Sequence, residues 1–312
     1  MKKKQKTALP IVFVFALLAV GAAVFFALRA QPPRDGIRQT FYESGKIKSE
    51  YTYQNGVKEG KFREYDENDN LLVEGVIQGG RVAETRYDYY VGGRNKSVVN
   101  FVDGKRNGIA KEFYSSGTLH MERYFQDDQL DGPLKEYSPT GVIEAERTYR
   151  GDQLNGLVRE YLNGQLTAEK TFVNNKMNGI TKEFVANGQL KFEKNYKDDV
   201  LDGITTEFDS GGTVLYVHAY ANGELVSTKE FYEDKRMMRL TRFEGGKTVS
   251  LTEYYPKGAT MREKFLQNGQ MVQLNEYYDT GSVMYKKYYK DSLLLKTEEY
   301  DVQGNLLNVQ KF

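Results

Sequence analysis

Apolar and polar residues alternate in short runs along the chain from residue 36 onward, and turn residues separate the runs. In GLVREYLNGQLTAEKTF, residues 156–172, the alternation has a period of two and is interrupted by Asn163 and Gly164. A period of two is typical of a β-strand, and Asn-Gly favours a tight hairpin turn because both residues tolerate positive φ. The segment therefore predicts a β-hairpin, and no segment after residue 36 has helical periodicity.

The hairpin pattern repeats every 23 or 24 residues through residue 312. Each repeat has an aromatic residue, Glu precedes this aromatic in ten repeats, and a turn Gly often follows it by three or four residues. The aromatics are Phe41, Tyr65, Tyr89, Phe113, Tyr137, Tyr161, Phe184, Phe208, Phe231, Tyr254, Tyr277 and Tyr300. The spacing predicts an all-β repeat array, an elongated single-layer antiparallel meander of about twelve β-hairpins.

The repeats are of two kinds, distinguished by the residue five positions before the aromatic. In the first kind this residue is glycine, at Gly36, Gly60, Gly108, Gly132, Gly156, Gly179 and Gly203. From Val226 onward it is Val or Leu, and Glu84 replaces it in the most degenerate repeat. We therefore place a change of subtype near residue 225 within the repeat region 36–312.

The N-terminus predicts one transmembrane helix before the repeats. Four lysines in residues 1–6 precede 21 uncharged residues, 8–28, and a helix of that length spans roughly 30 Å. Cleavage after Ala30 would place Leu28 where a small residue is preferred, so we favour an uncleaved anchor over a cleaved signal. The predicted segments are a basic cytoplasmic tail (1–6), an anchor or signal (7–30) and a linker (31–35). The positive-inside rule predicts a single-pass membrane protein whose repeats lie outside the cytoplasm, or a secreted protein if the signal is cleaved.

The amino-acid composition limits the kinds of site and partner that the protein can have. The chain has no Cys, which excludes disulfides, a thiol nucleophile and a Cys-based zinc site. Residues 31–312 carry 39 basic and 43 acidic side chains, which argues against a nucleic-acid partner. An active site normally appears as a local departure from a repeat, whereas this Glu recurs in ten repeats, so we interpret the Glu row as structural or solubilising. His120 and His218 stand at different repeat positions. We interpret the acidic segments 127–132 and 198–203 as turns rather than calcium loops, and expect no enzyme, no cofactor and no metal.

Strand parity suggests a candidate interaction face. With regular strands, one face carries the aromatics and the basic residues Lys111, Lys135, Arg159, Lys182, Arg123, Arg147, Lys170 and Lys194, and the other face carries the Glu row. A bulge would change this assignment. Because Tyr and Arg often anchor interfaces, the candidate interaction residues are Lys111, Lys135, Tyr137, Arg159, Tyr161, Lys182, Phe184 and Phe208. The alternative, which we weight more heavily, is that the rings form the core of a thin sheet.

The motif N-G-x-x-x-E-[FY]-x-x-x-G-x-[LV]-x-x-E, as in residues 107–122, resembles the bacterial variant of the MORN (membrane occupation and recognition nexus) repeat. The resemblance covers about residues 36–312 and is weaker in the Tyr89 repeat and in the last four. It implies an elongated sheet of hairpins and an interaction or scaffold role, and it brings no catalytic residues. Some bacterial proteins with this variant are described as antitoxin-like. The resemblance to a bacterial family implies an anchor in a bacterial cell membrane, with repeats in the periplasm or at the cell surface.

The sequence as a whole predicts a non-enzymatic, membrane-anchored repeat scaffold that binds another protein of the cell envelope. One alternative is a binder of envelope glycan or peptidoglycan, since rows of tyrosine can face the solvent. Another is an antitoxin-like or immunity protein, which rests on the family resemblance alone.

Overall fold

The computed structural model describes residues 35–312, which form 26 β-strands and no helix. The predicted tail, the anchor or signal, and all of the linker except Asp35 lie outside the described residues. Within residues 35–312 there is no helix long and apolar enough to cross a membrane.

The described part of the chain divides into two compact units, and the division falls between residues 108 and 109, inside strand β7. The strands of the first unit are β1 (Gly36–Phe41), β2 (Ile47–Gln54), β3 (Val57–Tyr65), β4 (Leu71–Gln78), β5 (Arg81–Tyr89), β6 (Asn95–Val102) and the start of β7 (Lys105–Phe113). The second unit continues with β8 (Leu119–Gln126), β9 (Gln129–Tyr137), β10 (Ile143–Arg150), β11 (Gln153–Leu154), β12 (Gly156–Leu162), β13 (Gln165–Val173), β14 (Lys176–Met177), β15 (Gly179–Phe184) and β16 (Leu190–Lys197). It ends with β17 (Val200–Phe208), β18 (Val214–Ala221), β19 (Glu224–Phe231), β20 (Met237–Glu244), β21 (Lys247–Tyr254), β22 (Thr260–Gln267), β23 (Gln270–Tyr277), β24 (Val283–Lys290), β25 (Leu293–Tyr300) and β26 (Leu306–Lys311).

The described strand pairs are all antiparallel and join strands that are close in sequence, as in β1–β2, β12–β13 and β25–β26. Within each unit, the extensive contacts join only neighbours in the ladder, so each unit is a single layer. The predicted all-β antiparallel fold is confirmed. The hairpins form because turn residues such as Asn163 (φ 53°) and Gly164 (φ 79°) adopt the left-handed conformation that a tight turn needs.

Two kinds of β-bulge account for the two repeat subtypes. Between β2 and β3, the pairs Tyr51–Phe62 and Tyr53–Lys58 enclose one residue of β2 and three of β3, including Gly60 with φ 106°. In the later repeats the bulge contains one extra residue, since Ala219 pairs with Ser227 and Tyr220 pairs with Leu225. Loss of one bulge residue shortens the repeat from 24 to 23 residues, and valine is accepted there because no positive φ is required.

The most buried side chains form rows across the strands, on the face of the Glu row in the earlier repeats of the second unit and on both faces in the later ones. Ala145 lies opposite Glu136 and Glu160, and Ala168 lies opposite Glu160 and Glu183, so these buried alanines share the face of the Glu row. We call this the glutamate face. In the later repeats, buried Leu240, Thr252 and Asn275 lie on the other face, since their neighbours Arg239, Glu253 and Glu276 lie on the face of the Glu row. Buried Leu274, two residues before Glu276, stays on the glutamate face.

The buried Thr181 should destabilise the fold slightly, because its hydroxyl oxygen has no hydrogen-bond partner among the described residues and the side chain is only 3% exposed. Its equivalents three residues before the aromatic in earlier repeats are Leu134 and Val158. We expect Thr181→Val to raise the free energy of unfolding by about 1 kcal/mol, measured by urea denaturation. Thr167→Val is the control and should lower it, since the Thr167 hydroxyl donates to the Glu160 carbonyl at 3.0 Å. A loss of stability in Thr181→Val would contradict this view of the hydroxyl.

Candidate interaction surfaces

Opposite charges alternate across the strands of the second unit, on the face opposite the glutamate face. The row is Glu122, Lys135, Glu146, Arg159, Glu169, Lys182 and Glu193, each opposite the next. We call this face the ladder face. Glu146 Oε1 lies 3.4 Å from Lys135 Nζ and its Oε2 lies 3.6 Å from Arg159 Nη1. Burial alone would raise the pKa of Glu146, but hydrogen bonds from Tyr161 and Lys135 outweigh it and lower the pKa.

The structure places the candidate residues predicted from sequence along this ladder face. Lys135, Arg159 and Lys182 are members of the charge row, and Lys111 pairs with Glu122 at 3.3 Å. The four aromatics Tyr137, Tyr161, Phe184 and Phe208 follow, two residues beyond the row on the strands β9, β12, β15 and β17. All eight are half-buried. The Tyr161 hydroxyl donates to Glu146 at 2.9 Å.

The prediction that Arg123, Arg147, Lys170 and Lys194 share this face is wrong. Each pairs with a carboxylate of the Glu row instead, for example Arg147 with Glu136 at 2.6 Å and Lys170 with Glu160 at 2.7 Å. The cause is a bulge beside the repeat aromatic, where Glu160 pairs with Ala168 but Tyr161 pairs with Leu166. The extra residue reverses the parity of the return strand.

Aspartates of the acidic turns link successive hairpins by hydrogen bonds. The Asp199 carboxylate accepts the backbone N–H of Met177 at 2.7 Å, and the Asp152 carboxylate accepts that of Leu130 at 2.7 Å. Asp199 also has a positive φ of 69°, as a tight turn requires. The part of the chain that the structure covers contains no group of acidic or His side chains placed to hold a metal ion.

The two histidines lie on different strands, β8 and β18, and each contacts a neighbouring side chain. The His120 ring lies 4.4 Å from the Tyr114 ring. His218 Nδ1 lies 3.0 Å from the Thr228 hydroxyl, and burial lowers the pKa of His218.

Tyrosine hydroxyls link successive repeats by hydrogen bonds at the turns on the other edge of the strands. The tyrosine that follows the repeat aromatic donates to the carbonyl of the next repeat's aromatic, as from Tyr255 to Tyr277 at 3.0 Å and from Tyr278 to Tyr300 at 2.9 Å. Tyr42 and Tyr114 make the same bond in the Gly-type repeats, to Tyr65 and Tyr137. The doubled aromatic of the later repeats therefore has a structural role.

Tyr255→Phe should lower the free energy of unfolding by about 1 kcal/mol, because it removes one half-buried hydrogen bond and keeps the ring. Chemical denaturation followed by far-UV circular dichroism measures the change. Tyr124→Phe is the matched control and should change nothing, since Tyr124 is 40% exposed. Equal stability of both variants would show that the hydroxyl contributes nothing.

The first unit departs from the repeat pattern at Glu84. This residue takes the position of the bulge glycine and has no positive φ, and β4 and β5 pair without a bulge. As a result Val73 pairs with Arg86, whereas its equivalent Ser49 pairs with Glu64, so β5 is displaced by two residues. The strands approach closely here, since a Cβ on Gly75 would lie 2.4 Å from the carbonyl oxygen of Ala83.

A cleft of about 640 Å³ lies on these displaced strands, within residues 37–107. Its lining contains two parallel rows of side chains, which strand register places on one face. The polar row is Glu50, Arg63, Glu74, Thr85 and Asn100. The second row, mostly apolar, is Lys61, Val76, Ala83 and Val102. A smaller cavity of about 340 Å³ lies among the residues of the opposite face, including Tyr51, Phe62 and Arg86.

The carboxylates of the cleft are already engaged. Glu74 accepts from the Tyr87 hydroxyl at 2.9 Å and lies 3.5 Å from Arg63 Nε. Glu50 accepts from Gln39 at 2.6 Å. Electrostatic interactions with Tyr65 and then with Glu74 raise the pKa of Arg63.

Lys61 is the exception in the cleft. It is exposed, and its ammonium has no partner among residues 35–312. Sequence reasoning missed the whole cleft. The two signals that could have located it are Glu84 in a glycine position and Gly75 inside a strand.

The fold and these surfaces define a β-hairpin repeat protein, and the comparisons with known proteins agree. Residues 34–55, 58–77, 106–127, 130–150 and 177–198 match the family model described as the MORN repeat variant. The predicted resemblance is confirmed for these five segments. They include only repeats with the bulge glycine, although the Gly156 and Gly203 repeats are unmatched, as are the Glu84 hairpin and the repeats of the second subtype. No curated protein matches the chain.

Solved structures give only distant similarity. A crystal structure of TcdB2-TccC3 is 13% identical with a TM-score of 0.22, and the match covers 87% of this chain and 17% of that one. A crystal structure of TcdB2-TccC3-TEV is 13% identical with a TM-score of 0.24, and covers 88% of this chain and 16% of that one. The chain thus spans about a sixth of the length of those chains. TM-scores this low do not establish a common fold.

Proposed function

We propose that this protein is a non-enzymatic scaffold whose hairpin repeats bind another protein of the cell envelope. In this proposal residues 8–28 anchor it in a bacterial membrane and residues 36–312 lie outside the cytoplasm. The observation that supports binding most directly is the cleft of about 640 Å³ at the β4–β5 hairpin, which lacks the bulge. Its volume is in the range of ligand-binding clefts, and it offers an apolar row beside a row of hydrogen-bonding side chains.

Regular repeats suit such a role because each hairpin depends mainly on its neighbours. A local change such as Glu84 can then reshape one site while the remaining repeats keep their structure. The ladder face supports the same role less directly, since its charges are paired with one another. Paired charges position a partner and exclude wrong ones more than they add affinity.

Site-specific photo-crosslinking tests the binding proposal in native membranes. The full chain carries a photo-reactive residue at Val76 in the cleft or, as the matched control, at Val173 in β13; these are 42% and 44% exposed. We expect one discrete protein adduct from position 76 and none from position 173. If no site along the repeats gives a protein adduct in cells that make the protein, the binding proposal fails. Crosslinks to envelope glycan instead would favour the glycan-binding alternative.

The location can be tested separately because the chain has no Cys. A single Lys235→Cys substitution places a thiol in an exposed turn of the second unit. A maleimide that cannot cross membranes should label it in intact cells, after the outer membrane is permeabilised if there is one. Labelling only after lysis would place the repeats in the cytoplasm and overturn this part of the proposal.

A further inference from the structure

We infer that the cleft of the first unit takes a short protein segment in which an acidic side chain is followed by apolar residues. The inference rests on the proposed protein-binding function and specifies the chemistry of the partner.

The rows of side chains in the cleft indicate the direction in which a bound segment would lie. Lys61, Val76, Ala83 and Val102 lie opposite one another on β3, β4, β5 and β6. Neighbouring strands are about 4.8 Å apart, so the row is about 14 Å long, which matches about four residues of extended chain. A segment lying along the row would cross the strands, place its apolar side chains on Val76, Ala83 and Val102, and place its first residue at Lys61.

The hydrogen bonds and ion pairs of the cleft indicate which charge the bound segment should carry. The carboxylates of Glu50 and Glu74 accept hydrogen bonds from Gln39 and Tyr87, and Arg63 lies beside Glu74. Lys61, in contrast, is exposed and has no partner within the described residues. A carboxylate at that end of the row would gain an unshared ion pair, whereas a cation would meet like charge.

The polar row supplies the remaining recognition. Thr85 Oγ1 donates a hydrogen bond of 2.8 Å to Asn100 Oδ1, so the amide N–H groups of Asn100 are the donors that remain in this pair. The two rows are two residues apart on each strand, about 7 Å. A peptide backbone lying between them would reach the amide with its carbonyls, and its side chains would contact the apolar row.

The probe is a labelled peptide, Asp-Leu-Val-Leu, with both termini blocked. Its binding to the full chain in detergent is followed by fluorescence anisotropy, beside the matched peptides Asn-Leu-Val-Leu and Lys-Leu-Val-Leu. A fourth arm, with a free C-terminal carboxylate and no Asp, separates a chain terminus from an acidic side chain. We expect the Asp peptide to bind at least fivefold more tightly than the Asn peptide and the Lys peptide most weakly.

Charge reversal supplies the decisive comparison. Lys61→Glu should weaken the Asp peptide at least tenfold and make the Lys peptide the tightest of the series, while Lys61→Gln should remove the preference. Lys257→Glu, at an exposed turn of the second unit, should leave the order unchanged.

An unchanged order in Lys61→Glu, or no binding of the Asp peptide to the wild type, would overturn the inference. Both results would leave the photo-crosslinking test of the proposed function intact. A preference for the free terminus would overturn the choice of an acidic side chain.

Discussion

Replacing Ala168 by Asp should greatly reduce the stability of the second unit. Ala168 is 6% exposed and lies directly opposite Glu160 on one neighbouring strand and Glu183 on the other. The new carboxylate would lose most of its hydration and meet two like charges, so we expect the free energy of unfolding to fall by about 3–4 kcal/mol. Urea denaturation at neutral pH measures it.

Ala168→Asn is the matched control, because it has nearly the same volume without the charge. It should cost about 2 kcal/mol, and the difference between the variants reports the charge. The introduced carboxyl would have a raised pKa in the folded state, so its cost is present at neutral pH and disappears as the pH falls to about 4. Equal destabilisation of both variants at all pH values would exclude the electrostatic explanation.

Gly156→Ala should give the second large effect, a loss of about 2–3 kcal/mol. Gly156 has a φ of 122°, which residues with a Cβ rarely adopt, and a Cβ there would lie 3.1 Å from the Thr148 Cβ. The substitution therefore adds backbone strain and a close contact inside the bulge. Thermal and urea denaturation of the variant measure the loss.

Gly188→Ala separates the two causes. Gly188 has a φ of 83° in a turn, and no atom lies within 4 Å of its would-be Cβ. It should lose only about 1 kcal/mol, as expected for a left-handed glycine in open space. If Gly156→Ala costs no more than Gly188→Ala, the bulge glycine is not required, and the distinction between the repeat subtypes loses its physical basis.

The strands and turns could be predicted from sequence because each repeat carries its own local signals. Alternation marks the strands, and Gly, Asn and Asp mark positions of positive φ, as at Asn163 and Asp199. The same signals recur through residue 312, so an error in one repeat does not spread to the next. The position of the anchor, by contrast, stays a prediction from the apolar run 8–28.

The faces could be predicted only in part. Lys135, Arg159 and Lys182 were placed together correctly because they are equivalent positions on the same strand of successive repeats. Arg147 and Lys170 were misplaced because a bulge lies between them and the repeat aromatic, and apolar patterning does not reveal a one-residue bulge. Parity can be carried along a strand but not across a turn that contains an extra residue.

The cleft could not be predicted, because it depends on a register difference rather than on a motif. Glu84 could be recognised as a missing glycine, but the sequence does not indicate whether the bulge would move or vanish. Its loss displaces β5 by two residues and brings Lys61 and Val76 into line with Ala83 and Val102. Those residues look like ordinary exposed strand positions when each is considered alone.

The hydrogen bonds between successive hairpins have a mechanical consequence for the second unit. Each hairpin is held to its neighbours by its ladder. Some turns add a hydrogen bond, to carboxylates such as Asp199 in the earlier repeats and from tyrosine hydroxyls such as Tyr255 in the later ones. A pulling force applied to the end strand would load the bonds of one hairpin at a time, as in a zipper. Each step would release 23 or 24 residues, roughly 8 nm of chain, so the unit would extend under tension in even increments.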